Sequence, residues 1–116
     1  MHELSIASGI AEVAERHAAG RRVVAVSVRV GRLRQVVPSA LEFAFELVAQ
    51  GTVLEGARLE LEEVPAAGRC RDCGAQTELS AFPFACAACG ALDLEISAGE
   101  ELSVEELEVE QEVAAT

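Results

Sequence analysis

The sequence predicts an α+β fold in which two helices pack on a three-stranded mixed sheet and a cysteine-bearing segment is inserted before the last strand. Two stretches place apolar residues at helical spacing, and three are β-branched or alternate between apolar and polar residues. All four cysteines of the 116-residue chain fall in one segment rich in Gly and Ala. We therefore expect residues 1–65 and 100–116 to form one domain and residues 66–99 a second, smaller one.

The first helix is predicted over residues 5–19, where apolar side chains recur at helical spacing. Ser5 is the candidate N-cap and Gly20 the candidate stop, so residues 1–4 are expected to form a short arm before the helix. His17 falls in the apolar stripe near the C-terminal end. We expect it to be packed and to interact with the helix dipole.

A strand and a second helix follow. Residues 23–30, VVAVSVRV, are too β-branched to favour a helix, and Gly31 closes this strand. Ser39 and Glu42 form a capping-box pattern that opens a helix to about residue 50. Its apolar arc is so wide that we expect most of the helix to be buried, either on a sheet or at an interface. The arc comprises Ala40, Leu41, Phe43, Ala44, Phe45, Leu47 and Val48.

Two further strands complete the sheet. Residues 57–62, ARLELE, alternate strictly and predict a half-buried strand. Near the C-terminus the alternation changes parity between Val104 and Leu107. We expect one long strand there, with a β-bulge or bend at Glu105 and Glu106.

The composition excludes several classes of function. Twenty acidic residues against nine basic ones give a formal charge of −11, which repels nucleic acids and anionic membranes. Partners should be cations or proteins with basic faces. Every basic residue is Arg, which excludes a catalytic lysine. No stretch reaches the roughly 18 to 20 apolar residues of a membrane helix, so we expect a cytoplasmic protein without membrane insertion.

The cysteine spacing predicts a metal site. Cys70 and Cys73 stand in CRDCG, and Cys86 and Cys89 stand in CAACG. Two CxxC turns, each followed by a glycine that can adopt positive φ, are typical of zinc knuckles whose backbone N–H groups point at the sulfurs. Four thiolates suit tetrahedral Zn²⁺ with no position open to substrate, which indicates a structural, zinc-ribbon-like segment. Rubredoxin-like iron, two disulfides and a thiol redox site are the alternatives.

The first residues, MHEL, form a second candidate metal site. A divalent ion can take the α-amine of Met1 together with the amide nitrogen and imidazole Nδ1 of His2 in fused chelate rings. Glu3 can complete the site through its amide nitrogen or its carboxylate. Such nitrogen-rich, near-planar ligation favours Ni(II) or Cu(II) over zinc. The alternative is that His2 is an ordinary solvated residue.

Taken in chain order, these motifs resemble the HypA/HybF family of hydrogenase maturation factors, the nickel metallochaperones. The resemblance covers nearly the whole chain. It rests on MHELSIA, VRVGRL, ALEFAFE, GTVLEGARLELEEVP, the motifs CRDC and CAAC, and GEELSVEELEVE. One departure is that no histidine lies near either cysteine pair, although some members carry one there.

The resemblance implies both metals and partners. It makes residues 1–65 and 100–116 a nickel-binding domain and residues 66–99 a zinc-binding domain of structural or regulatory role. The nickel ligands would be the Met1 terminal amine, His2 and Glu3. The zinc ligands would be Cys70, Cys73, Cys86 and Cys89. Nickel would be delivered, together with a HypB-type GTPase, to the large subunit precursor of [NiFe]-hydrogenase.

An enzyme is not expected, because the chain lacks a paired nucleophile and base, a phosphate-binding glycine loop and an open metal site with general acids. Two other functions fit the cysteine motifs alone. One is a rubredoxin-like iron electron carrier, and the other is a zinc-ribbon interaction module without nickel delivery.

Overall fold

The computed structural model describes residues 2–80 and 82–110. Within them the chain forms two α-helices, one 3₁₀ turn and six strands. In chain order these are α1 (His2–Ala18), β1 (Val23–Gly31), the 3₁₀ turn (Arg32–Arg34), α2 (Pro38–Ala49), β2 (Arg58–Val64), β3 (Ala67–Cys70), β4 (Gln76–Glu78), β5 (Leu94–Ala98) and β6 (Leu102–Val109). No helix in this described part is long and apolar enough to cross a membrane.

The described residues divide into two compact units. The first comprises residues 2–29, 36–62 and 103–110, and the second comprises residues 30–35, 63–80 and 82–102. The second unit therefore takes in the cysteine-bearing segment together with the ends of β1 and β2, the start of β6 and the 3₁₀ turn.

The first sheet has the order β2-β1-β6 and is mixed, as predicted. The β1 and β2 strands run parallel, because Ser27 bonds to Glu60 and, two residues further along each strand, Arg29 pairs with Glu62. The connection between them is the helix α2, the usual way to make neighbouring strands parallel. The predicted α+β fold class is therefore confirmed.

The last strand, β6, lies on the other side of β1 and runs antiparallel to it. The N–H of Glu110 donates to the carbonyl of Arg22 at 2.8 Å, so the end of β6 meets the start of β1. The half-buried side chains of β6 are Val104, Leu107 and Val109. The inward-facing pattern thus changes parity within one continuous strand, as the sequence predicted.

The first helix begins at His2, so the expected arm over residues 1–4 and the N-cap at Ser5 are wrong for the described residues. Glu3 supplies the physical reason. A carboxylate in the first turn interacts favourably with the helix dipole, and this one also accepts the backbone N–H of Val37 at 3.3 Å. A tertiary contact therefore supports the first turn that local sequence signals did not predict.

The expectation that His17 is packed is also wrong, because its side chain is exposed. The buried stripe of α1 runs through Ala14 and Ala18, and His17 lies to one side of it. The side chain of Arg21 donates to the carbonyl oxygens of Ala18 and His17 at 2.8 and 3.1 Å. The C-terminal carbonyls of α1 are thus satisfied by an arginine that follows the helix.

The second helix begins at Pro38, and the predicted capping box is wrong. Val37 is the N-cap residue, and its side chain makes no capping hydrogen bond. Proline suits the first helical position, because its fixed φ matches the helix and its missing N–H would have no helical partner there. Pro38 therefore starts α2 one residue before Ser39.

The same helix is less buried than its composition suggests. Its buried residues are Leu41, Ala44, Phe45 and Ala49. By contrast, Phe43 is 62% exposed and Leu47 is 47% exposed, so the prediction that most of the apolar arc is buried is wrong for these two positions. Only one side of a helix faces the rest of its domain, and an arc this wide extends beyond that side.

In the second unit a small antiparallel sheet has the order β4-β3-β5. Gly68 of β3 lies opposite Thr77 of β4 on one side and Ile96 of β5 on the other. Leu79 is the largest apolar side chain buried among described residues 66–99, with 3% exposure. Hydrophobic burial alone therefore gives this segment very little core, which agrees with its Gly- and Ala-rich composition.

Candidate metal centre

The first cysteine pair lies in a tight turn at the end of β3. Cys70 is the last residue of that strand, and its N–H donates to the carbonyl of Ala75 at 2.9 Å. The N–H of Gly74 donates back to the carbonyl of Cys70 at 2.9 Å. The N–H of Cys73 lies 3.5 Å from the Cys70 sulfur. This is the N–H-to-sulfur arrangement that the sequence predicted for a knuckle.

The second pair repeats the same turn. The N–H of Cys86 donates to the carbonyl of Ala91 at 2.8 Å, and that of Gly90 donates to the carbonyl of Cys86 at 2.8 Å. Gly74 and Gly90 have φ values of 77° and 78°. This conformation is costly for residues with a Cβ, which explains why each CxxC is followed by glycine.

The two turns bring the four sulfurs together. All four Sγ atoms lie within 4.8 Å of one another. Sγ of Cys70 lies 3.6 Å from that of Cys89, and Sγ of Cys73 lies 3.6 Å from that of Cys86. Zn–S bonds of about 2.3 Å at tetrahedral angles place sulfurs about 3.8 Å apart, whereas a disulfide needs about 2.0 Å. The quartet fits one tetrahedral ion, and no two of the four sulfurs are joined in a disulfide.

Each knuckle contributes one inner and one outer sulfur ligand. Cys70 and Cys86 are 1% and 3% exposed, whereas Cys73 and Cys89 are exposed. Four protein ligands complete a tetrahedral shell, so an ion bound here has no position for water or substrate. The arrangement suits a structural cross-link between the two turns.

The turn geometry lowers the pKa of Cys86. The N–H of Cys89, which bonds to the Cys86 sulfur, is the main cause, and burial acts in the opposite direction. The pKa of Cys86 falls to about 6, so this thiolate forms near neutral pH.

The outer thiols show the opposite shift. The N–H groups of Ala75 and Ala91 favour the thiolates of Cys73 and Cys89 respectively, but neighbouring quartet side chains and burial outweigh them. The pKa of Cys73 is raised, and that of Cys89 is raised to about 12. Adjacent negative charges repel, so the full set of four thiolates at neutral pH requires a cation among them.

Two side chains outside the cysteine motifs hold the knuckles in place, and sequence reasoning missed both. Asp93 accepts from the Arg71 guanidinium at 2.9 Å, and its backbone carbonyl accepts the N–H of Arg71 at 3.0 Å. Thr77 Oγ1 accepts the N–H of Ala87 at 3.1 Å. These partners are 22 and 10 residues apart in the chain, so no local motif reveals them.

The residues proposed for nickel are placed differently. Met1 lies outside the described residues. His2 is exposed and Glu3 is half-buried in the first turn of α1. The N–H of Val37, and secondarily Glu3's own N–H, hold the pKa of the Glu3 carboxyl below its usual range. In the described part of the chain, the cysteine quartet is a cluster of three or more His, Cys, Asp or Glu side chains that could hold a metal ion. Neither His2 nor Glu3 belongs to such a cluster among the described residues.

Comparison with known proteins covers almost the whole chain. The model of a family described as "Hydrogenase/urease nickel incorporation, metallochaperone, hypA" matches residues 1–109. The hydrogenase maturation factor HypA of Geotalea uraniireducens (strain Rf4) is 51% identical over 110 residues, which cover 95% of this chain and 100% of that protein. The corresponding protein of Geobacter metallireducens (strain ATCC 53774 / DSM 7210 / GS-15) is 48% identical with the same coverage.

Solved structures give the same result for the fold. The "Solution structure of HypA protein" aligns with a TM-score of 0.70 at 26% identity and covers 97% of this chain and 98% of that one. The "Solution structure of the Ni metallochaperone HypA from Helicobacter pylori" aligns with a TM-score of 0.67 at 24% identity, covering 97% of this chain and 100% of that one.

Proposed function

Because this chain belongs to the HypA family of hydrogenase/urease nickel-incorporation metallochaperones, we propose that it binds Ni(II) at its N-terminus and delivers the ion to the [NiFe]-hydrogenase large subunit during maturation. The family match over residues 1–109 is the observation that carries this proposal. As a metallochaperone the protein is not an enzyme, and nickel is its cargo.

The proposed nickel ligands are the Met1 amine, the amide nitrogen and imidazole of His2, and the amide nitrogen of Glu3. The bond between the Glu3 carboxylate and Val37 supports the amide rather than the carboxylate of Glu3 as the ligand, because that carboxylate already has a protein partner. Amide ligation also suits the start of a helix, where the first four N–H groups have no backbone carbonyl acceptor within the helix. Both features favour the nitrogen-rich ligation that Ni(II) prefers.

The proposed role of the cysteine quartet is to hold a structural Zn²⁺. Its support is the spacing of the Cys70, Cys73, Cys86 and Cys89 sulfurs, which fits four protein ligands around one tetrahedral ion. The ion would supply a fixed cross-link between two turns that share almost no apolar core. Iron would use the same four thiolates, and metal analysis with a visible spectrum of the purified protein separates the two ions.

Delivery implies partners. We propose a HypB-type GTPase and the large subunit precursor of [NiFe]-hydrogenase, met in the cytoplasm. Nucleic acid is not part of the proposal, because the formal charge is −11.

The N-terminal site is tested by titrating untagged protein with Ni²⁺ in a calorimeter. Two changes remove ligands: one extra residue before Met1 converts the amine into a peptide nitrogen, and His2→Ala removes the imidazole while keeping a good helix former in α1. His17→Ala is the matched control, since it removes another exposed histidine from the same helix.

The extended protein and His2→Ala should each lose nickel affinity at least tenfold, about 1.4 kcal/mol, while His17→Ala keeps it. Zinc content and helicity should be unchanged in all three proteins. Tight nickel binding that survives both N-terminal changes would exclude this ligand set and with it the proposed delivery site.

A further inference from the structure

The outward side of α2 carries two large apolar residues. Phe43 is 62% exposed and Leu47 is 47% exposed, although both lie in a helix whose other side is well buried. Residues four apart lie on the same helix face, so the two side chains are neighbours along α2. We call this pair the α2 ridge.

The fold of the first unit does not account for the α2 ridge. The contacts that bury α2 come from its other side, through Leu41, Ala44 and Phe45. A surface helix normally presents polar residues to solvent, and adjacent exposed large apolar residues mark an interaction surface more often than isolated ones do. The ridge therefore requires an explanation outside the folded core.

Acidic side chains run beside the ridge. Glu42 and Glu46 are also one helical turn apart, and both are exposed. Among the described residues, neither carboxylate has an ion-pair partner. Five arginines form ion pairs with other acidic residues: Arg16 with Glu12, Arg29 with Glu62, Arg32 with Glu63, Arg58 with Glu60 and Glu108, and Arg71 with Asp93. The surface beside the ridge thus presents unneutralised negative charge.

We propose that the α2 ridge is the docking surface for a protein partner whose apolar groove is bordered by Arg or Lys side chains. Two apolar side chains at i and i+4 are the anchors that a helix presents to such a groove, and Glu42 and Glu46 then face basic residues at the border. A second copy of this chain fits poorly, because a two-fold contact through the ridge brings acidic side chains together in a chain of charge −11.

The position of the ridge suits transfer of a metal ion. It lies on the helix whose N-cap, Val37, is bonded to Glu3. Phe43 is the sixth residue after Val37, a rise of about 9 Å along a helix axis. Val37 and Leu4 are themselves 54% and 42% exposed. The docked protein would be the GTPase that works with this chain or the nickel recipient, and this identification rests on the proposed function.

The test measures binding of the metal-free, full-length chain to two purified probes, the HypB-type GTPase and the hydrogenase large subunit precursor of the same organism. The ridge variant is Phe43→Gln with Leu47→Gln, because glutamine is polar and a good helix former. The matched control is Phe82→Gln with Leu92→Gln, which changes two apolar residues that are 85% and 71% exposed in the second unit. A third variant, Glu42→Gln with Glu46→Gln, removes the acidic charge only.

The ridge variant should bind at least one probe tenfold or more weakly than the wild type, about 1.4 kcal/mol, while the control variant keeps wild-type affinity. The charge variant should bind that probe more weakly than the wild type at low salt, and its affinity should depend less on salt concentration. This measurement still tests the proposal if the ridge variant does not fold. The ridge variant should also keep its nickel affinity, so that loss of docking and loss of nickel binding are measured independently.

Several results would overturn the proposal. The docking surface lies elsewhere if the ridge and charge variants bind both probes as the wild type does. It also lies elsewhere if only the control variant loses binding. Failure of the wild type to bind either probe excludes these partners. A wild-type dimer that becomes monomeric in the ridge variant, measured by sedimentation equilibrium, assigns the surface to a second copy of this chain.

Discussion

Replacing Cys73 by serine should unfold the cysteine-bearing segment while the first unit keeps its secondary structure. The change removes one of four sulfurs that lie within 4.8 Å of one another and replaces only that one side-chain atom. Because Cys73 is an exposed member of the quartet, the substitution creates no cavity in a hydrophobic core. Its effect on stability therefore reports on the metal.

The expected magnitude follows from how little else holds this segment together. Burying Leu79, its largest buried apolar side chain, contributes about 1.5 to 3 kcal/mol. A structural zinc ion contributes about 10 to 16 kcal/mol in small zinc-dependent domains. The free energy contributed by zinc is several times larger than that contributed by burying Leu79. A protein that cannot retain the ion should therefore not keep the β4-β3-β5 sheet.

Amide hydrogen exchange and zinc content provide the assay. In Cys73→Ser, the protected amides of β3 and β5 should exchange rapidly while those of α1 and β1 remain protected, and bound zinc should fall well below one ion per chain. Ala88→Ser is the control, because it places a hydroxyl at an exposed position of the second knuckle and leaves all four sulfurs in place. Chelator treatment of the wild type should reproduce the exchange pattern of Cys73→Ser.

Two results would refute this reasoning. If Cys73→Ser keeps one zinc ion per chain, the quartet is not the zinc site. If the variant loses zinc but β3 and β5 stay protected, the segment folds without metal and zinc is not the main contribution to its stability.

Three further predictions concern packing, protons and metal preference. A Cβ at Gly31 would overlap the carbonyl group of Gly99, whereas one at Gly9 of α1 meets open space. Gly31→Ala should therefore lower the free energy of unfolding, measured with denaturant, by about 3 kcal/mol or more, whereas Gly9→Ala should raise it by about 0.5 to 1 kcal/mol. Equal effects of the two substitutions on the free energy of unfolding would contradict the packing at Gly31. Zinc binding near neutral pH should release at least two protons, because the pKa values of Cys73 and Cys89 are raised and both thiols must lose a proton to bind the ion. The calorimetric enthalpy of zinc binding should therefore depend on the buffer, and zinc affinity should fall as pH falls. A buffer-independent enthalpy would show that these thiols are already ionised. In competition, the N-terminal site should take Cu(II) in preference to Ni(II), and a preference for nickel would indicate a different ligand set.

The sequence alone determined the features that depend on local spacing. Two cysteines three residues apart and followed by glycine specify a knuckle, since the turn involves only neighbouring residues and a positive φ that glycine adopts without strain. The β-branched run of β1 and the alternation of β2 likewise predict strands directly. Because these signals act over a few residues, the order of the two helices and of the three strands of the mixed sheet could be predicted before any contact was known, whereas β3, β4 and β5 were not predicted.

Tertiary structure decided which side chains are covered and where helices start. Periodicity placed His17 and Phe43 in apolar arcs, but both side chains are exposed, because exposure depends on whether another element lies against that part of the helix. The first turn of α1 is supported by the bond between Glu3 and Val37, 34 residues away. Partners so distant in the chain become neighbours only after folding. Sequence spacing alone therefore could not predict that Glu3 bonds to Val37 or that Phe43 of the α2 ridge is exposed.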